Sequence, residues 1–319
     1  MPLWLSEADV RAVLDPGELV PIMQDALAAF STGRVIQPVR TALEIDHRSF
    51  FAMMPALHPE RAVMGAKMVS IVPENAVRGL HTHLAAISLF NATTGELLAV
   101  MDGRYITEAR TAAVSAVSVR FLARPDSAVL AILGSGVQAR SHRSVLPLVR
   151  DFREVRAWSP SAERLTAFSS EGDVHAARSP QEALRGADVV VVATNSASPA
   201  IQSAWVDPGA HVVAIGAARP TQQEIDPALV ERAHLVVDSR DAAFRESGDI
   251  LRPIAEGRIT ADHVRAELGE IVAGIKPGRQ SGDEITLFKS LGQAIEDLAA
   301  AELVYRRARE RGKGIRVEF

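Results

Sequence analysis

Hydrophobic and polar positions along this chain follow two different periods, and the changes between them divide it into parts. Leu19, Ile22, Met23, Leu27 and Phe30 recur at helical spacing, and Asp15-Pro16-Gly17-Glu18 supplies the cap, first-turn proline and acid that open such a helix. The helix is expected to end near Gly33. From about residue 35 to residue 100 the pattern becomes short alternating or β-branched runs, which predict strands over 39–45, 50–54, 63–72 and 84–90. Asn91-Ala-Thr-Thr-Gly95 forms a turn before a further strand at 97–101. We read this part as a mostly antiparallel sheet. Helical spacing returns over 106–122, and Ala123-Arg-Pro-Asp126 breaks it.

The second half alternates strand and helix. Apolar runs at 155–158, 187–193, 211–215 and 235–238 are separated by helical segments such as Pro180–Leu184, the pattern of a parallel sheet covered on both faces. Pro147 ends or kinks the first of these helices, because proline inside a helix costs about 3 kcal/mol. The last segment, 287–309, reads as an Ala-rich helix able to return to the first domain. The fold class is therefore α/β. A Rossmann-type doubly wound parallel sheet (118–289) accompanies an α+β domain formed by 1–117 and 290–319.

The alternation opens on Val129-Leu-Ala-Ile-Leu followed by Gly134-Ser135-Gly136-Val137-Gln138-Ala139, a Gly-x-Gly-x-x-Ala turn between strand and helix. Gly134 permits the tight turn, Gly136 lets backbone approach a pyrophosphate, and Ala139 keeps the helix close to the sheet. The helix start offers unpaired N–H groups to the phosphates. These six residues, with Thr194 just after the strand at 187–193, are the candidate dinucleotide contacts. An NAD site would carry an acid at the tip of the second strand. Here Trp158-Ser159-Pro160-Ser161-Ala162-Glu163-Arg164 has none at that tip. Ser159, Ser161 and Arg164 can receive a 2′-phosphate instead, which favours NADP(H) over NAD(H), although an ordinary polar loop reads the same way.

Composition narrows the classes. The 319 residues are 47% hydrophobic and 23% charged, ordinary for a globular protein, and the net charge of −4 argues against a nucleic-acid partner. With no cysteine, thiolate chemistry and Cys-based metal sites are excluded. Neither a signal peptide nor a membrane-length apolar run is read, so a cytoplasmic enzyme with no membrane partner is expected.

Gly65-Ala-Lys67, Gly79-Leu-His-Thr-His83, Phe90-Asn-Ala-Thr-Thr-Gly95-Glu, Met101-Asp-Gly103, Thr107-Glu-Ala-Arg110-Thr-Ala-Ala-Val-Ser115-Ala, the Gly134 turn, Glu246-Ser-Gly-Asp249 and Lys289-Ser-Leu-Gly292 together resemble the ornithine cyclodeaminase/mu-crystallin family, in order and over nearly the whole chain. The resemblance implies a homodimer whose N-terminal domain dimerises and binds substrate, joined to a nicotinamide-binding Rossmann domain. It places Arg40 and Arg110 as carboxylate-binding arginines and Lys67 as a substrate contact. Taken alone, each arginine reads equally as a surface ion pair.

The residue types suit that chemistry. A guanidinium fork can hold a carboxylate in two places. Lys67 lies in Met64-Gly-Ala-Lys-Met-Val, where apolar neighbours make a lysine out of place unless it has a role or guards a strand edge. A partly desolvated ammonium there can donate a proton to an imine. Met54, His83 and Arg219 are candidate pocket residues; His81 is a weaker one, and a zinc site on His81 and His83 lacks a third ligand. Where cyclodeaminases carry an acid after a late Rossmann strand, this chain has Ala218. The expectation is reduction of a cyclic ketimine such as Δ1-pyrroline-2-carboxylate or Δ1-piperideine-2-carboxylate. Ornithine cyclodeamination, alanine dehydrogenase-type chemistry and a non-catalytic small-ligand binder are the alternatives.

Overall fold

The computed structural model describes residues 1–46 and 48–318. The chain divides into two compact units, one of residues 1–111 with 293–319, the other of residues 112–292.

In the first unit, β1 (Leu3–Leu5) precedes α1 (Glu7–Val13) and α2 (Pro16–Ser31), followed by β2 (Thr41–Glu44), β3 (Phe50–His58), β4 (Val63–Ile71), β5 (His83–Asn91) and β6 (Leu97–Asp102). Asp15 caps α2, its carboxylate accepting the Gly17 amide at 3.0 Å. β2 to β6 form an antiparallel meander, β1 adds to β6 in parallel, and the C-terminal strand Ile315–Arg316 closes that edge. β3 runs through Pro55 to His58, longer than the expected 50–54. It can do so because β2 stops pairing at Met53, so the proline nitrogen interrupts no ladder on that side. The C-terminal helix Ala294–Glu310 packs against β3, β4, β5 and α2. Gln37 fixes where this helix starts: its side-chain oxygen accepts the Ile295 amide at 2.8 Å.

α3 (Arg104–Leu122) begins in the first unit and ends in the second. The second unit is an eight-stranded parallel sheet. β7 (Val129–Leu133), β8 (Glu154–Trp158) and β9 (His175–Ala176) extend one way, and β10 (Val189–Val192), β11 (His211–Ala214), β12 (His234–Val237), β13 (Val264–Glu267) and β14 (Thr286–Lys289) the other, in the order β13-β12-β14-β11-β10-β7-β8-β9. Strand direction of growth reverses between β7 and β10, the switch point where such sheets bind ligands at their carboxyl ends. α4 (Val137–Val145) follows β7 and stops two residues short of Pro147, as its ring requires.

The 287–309 helix is corrected by the structure. Thr286–Lys289 is a fully buried central strand, and the helix begins only at Ala294. A short apolar run buried on both faces has no period of its own to separate strand from helix.

Candidate active site

Strand register places the key side chains of the first unit. Lys67 on β4 pairs across the sheet with Met54 on β3 and Ile87 on β5, all three on the buried face that the C-terminal helix covers. The first turn of that helix brings Glu296 and Asp297 to the same place. Asp297 Oδ2 lies 2.6 Å from Lys67 Nζ, and Asp297 Oδ1 accepts Arg110 Nε at 3.2 Å. Glu296 Oε2 accepts Arg110 Nη1 at 2.6 Å. Lys67 Nζ also donates to Thr107 Oγ1 at 3.4 Å, while the Thr107 hydroxyl donates to the Gly103 carbonyl at 2.7 Å. Lys67, Arg110, Glu296 and Asp297 are all buried.

Burial sets the protonation of this cluster. It pulls Lys67 down to about 8, helped by the charges of Arg110 and Arg40 and opposed by Asp297. Burial works against the Asp297 charge too, but Lys67 and Arg110 outweigh it and hold the carboxyl below its usual range. His83, at the start of β5, falls to about 4, first through burial and then through the Lys67 and Arg110 charges. It is neutral at physiological pH. Arg40 precedes β2, half-buried, near enough for its charge to be felt at Lys67. Thus Lys67, Arg110, Arg40, Met54 and His83 share one unit, whereas Arg219 lies in the other, in the loop after β11, and His81 is exposed. Glu296 and Asp297 were not foreseen.

In the second unit the Gly134 turn is built for close approach. Gly134 has φ +125°, and a Cβ there would meet the Ala193 carbonyl oxygen at 2.5 Å, directly across the switch point. Beside Gly136 a Cβ would meet nothing within 4 Å, and Gly136 caps α4 with no side chain bonded to its amides. Val137, Gln138 and Ala139 form that first turn, Ala139 wholly buried against the sheet. An open helix N-terminus over a side-chain-free turn fits a dinucleotide pyrophosphate. Ser135 donates to Ser159 at 2.9 Å, and the Ser161 hydroxyl caps the next helix at the Arg164 amide. The Arg164 side chain is exposed, while Arg140 is taken up by Glu171.

Thr194, just after β10, is bonded to Glu224. Its amide and hydroxyl donate to Glu224 Oε2, and the amides of Gly216 and Ala217 to Glu224 Oε1. Lys289 completes the group, 3.3 Å from Glu224 and 2.9 Å from Asp249. The Asp249 and Glu224 charges outweigh burial and raise the Lys289 proton affinity. Gly216 cannot be replaced here, since a Cβ would fall on the Thr194 carbonyl. Ser115 is also structural, accepting or donating at His142 Nε2 at 2.8 Å. Among the described residues no group of three or more His, Cys, Asp or Glu could hold a metal, and no helix is long and apolar enough to cross a membrane.

Residues 2–312 match the model of the ornithine cyclodeaminase/mu-crystallin family. Ketimine reductase mu-crystallin of Rattus norvegicus is 43% identical over 311 residues, covering 95% of this chain and 96% of that protein. The structure of Thermococcus litoralis Δ1-pyrroline-2-carboxylate reductase in complex with NADH and L-proline superposes with a TM-score of 0.96 at 36% identity, covering 99% of this chain and all of that one (100%). An archaeal alanine dehydrogenase dimer with bound NAD gives 0.95 at 34% identity over 100% and 99% of the two chains.

Proposed function

We propose, since the chain belongs to the ornithine cyclodeaminase/mu-crystallin family, that it is an NAD(P)H-dependent oxidoreductase reducing Δ1-pyrroline-2-carboxylate or Δ1-piperideine-2-carboxylate to proline or pipecolate. The observation that carries this is the buried Lys67–Arg110 cluster. In it Asp297 spans Lys67 and Arg110 while Glu296 holds Arg110, so two buried cations stand side by side where the charge of Arg40 is also felt, an arrangement suited to a substrate carboxylate. Named relatives of this chain act on, or hold, such compounds.

In this reading Arg40 and Arg110 bind the carboxylate. Asp297 and Glu296 accept from Arg110 Nε and Nη1 and so aim the guanidinium before substrate arrives. Lys67 is protonated below about pH 8 and gives its proton to the ring nitrogen, because an imine accepts hydride well only as the iminium. A bound reduced nicotinamide supplies the hydride to C2. Gly134 to Ala139 hold its pyrophosphate, and Arg164 with Ser159 and Ser161 favours a 2′-phosphate, hence NADPH over NADH. Ala218 offers no acid or base for deamination. Its backbone amide is pinned by the Gln222 side chain at 3.0 Å.

The reading includes a homodimer. Leu43, Phe51, Met53, Met68 and Leu84 lie exposed on the outer face of the β2–β5 sheet, with Leu43 opposite Phe51 and Met53 opposite Met68, an apolar surface suited to a second copy. It also includes a cytoplasmic location, because reduced nicotinamide is an intracellular reagent. The test is a spectrophotometric panel of both cyclic imines, pyruvate with ammonium, and ornithine, each with NADH and NADPH. Cofactor oxidation by the imines, faster with NADPH, is expected. Oxidation by pyruvate and ammonium alone, or ammonia release from ornithine without net absorbance change, overturns the proposal.

A further inference from the structure

We propose that Asp297 is a positioning residue for the reduction, holding Lys67 in its proton-bearing form and at a set distance from Arg110. The inference rests on Lys67 being the proton donor, as argued above. One carboxylate spans both cations, 2.6 Å from the ammonium and 3.2 Å from the guanidinium, and it is fully buried at the start of a helix whose dipole favours negative charge there.

The groups around Lys67 explain why such a residue is needed. α3 contributes Arg110 and Thr107, the segment before β2 contributes Arg40, β5 contributes His83, and Met54 and Ile87 flank the ammonium in the sheet. Two of these are permanent cations, the histidine is neutral, and the rest are apolar or hydroxyl. Each cation, and the burial itself, drives the proton off Lys67. Against them, among the described residues, stands the Asp297 carboxylate from the C-terminal helix, whose neighbour Glu296 accepts from Arg110. Asp297 is the acid in contact with the ammonium.

The geometry also leaves a donor for a ligand. An ammonium has three N–H groups, and among the described residues Lys67 spends them on Asp297 and Thr107. Both partners sit on helices, the C-terminal helix and α3, so the third N–H is directed by rigid elements.

The experiment is the pH dependence of kcat/KM for Δ1-pyrroline-2-carboxylate reduction in the full-length enzyme, comparing wild type with Asp297→Asn, Asp297→Glu, Glu296→Gln and Lys67→Met. Wild type should lose rate above about pH 8, and Lys67→Met should lack this limb. Asp297→Asn should move the limb acidwards by a unit or more, a loss of about tenfold above it, with kcat better preserved at acid pH. Glu296→Gln should raise KM and leave the limb in place. A limb in Asp297→Asn at the wild-type pH, with rate reduced equally everywhere, overturns the Asp297 assignment while Lys67 stands. A limb that survives Lys67→Met overturns the proton-donor reading and the assignment with it. Should the Asn variant not fold, Asp297→Glu decides: the charge stays and the oxygens move, so the limb should persist while kcat falls at every pH. A Glu variant with wild-type kcat overturns positioning.

Discussion

Arg110→Ala should damage stability as much as catalysis. Arg110 is bonded to Glu296 at 2.6 Å and Asp297 at 3.2 Å, and all three side chains are buried. Truncating one member of a buried ion pair strands the other charge, at a cost of about 3–5 kcal/mol, a few-hundred- to several-thousand-fold loss in the folding constant. The loss should shrink as pH falls, because a carboxyl without the guanidinium beside it binds a proton more readily and escapes the penalty. Substrate use should fall independently, by roughly the 1.5–3 kcal/mol of a charged hydrogen bond, about ten- to a hundredfold in kcat/KM. The double variant Arg110→Met/Glu296→Gln separates the two effects. It removes the Arg110 and Glu296 charges together and leaves Asp297 paired with Lys67, so most of the stability should return while kcat/KM stays low. Urea unfolding followed by far-UV circular dichroism gives the first quantity, and initial rates on folded protein the second. A single variant with the wild-type urea midpoint would refute the energetic argument; a double variant with restored kcat/KM would refute the carboxylate clamp.

The Lys67 value predicts the direction of the pH effect in both reaction directions. Reduction needs the protonated amine and should be level up to about pH 8, then fall about tenfold per unit, while oxidation of proline should rise over the same range. Gly134→Ala should abolish saturable NADH binding by fluorescence titration, since the backbone at φ +125° alone costs about 1–3 kcal/mol and the new Cβ also meets the Ala193 carbonyl. A Kd within threefold of wild type would show that the turn tolerates a side chain. Met53→Lys/Met68→Lys puts two like charges side by side on the outer sheet face and should halve the mass measured by light scattering; an unchanged mass places the subunit contact elsewhere.

Much of the site could be read from residue order because its chemistry is local. The Gly134 turn announces itself through a strand, two glycines and a helix within a dozen positions. Lys67 stands out because its neighbours are apolar. Glu296 and Asp297 were missed for the opposite reason. In Gln293-Ala-Ile-Glu-Asp-Leu298 they look like the solvent-facing acids that commonly start a helix, and their partners lie far along the chain, Arg110 for Glu296 at 186 positions and Lys67 for Asp297 at 230. One signal was available: a lysine buried in a strand requires a carboxylate from elsewhere. Glu224 shows the same limit, since its bonds to Thr194, 30 positions away, are made by the fold.

Each of the two units contains a buried charge cluster. Glu224 accepts from backbone amides of the loops after β10 and β11, namely Thr194, Gly216 and Ala217, Asp249 accepts from those of Glu224 and Ile225, and Lys289 pairs with both carboxylates. These bonds hold those loops, and the loop after β11 carries Ala218, which has no acid or base to offer. In the proposed reading, proton chemistry falls to Lys67 in the other cluster. Reduction of a ketimine consumes one hydride and one proton, and a single ammonium with a proton affinity near neutrality delivers that one proton. Deamination with ring closure must move protons onto a leaving amine and off an attacking one as well. On the proposed reading, with Lys67 the one proton donor and no acid at Ala218, the chain is equipped for the shorter reaction.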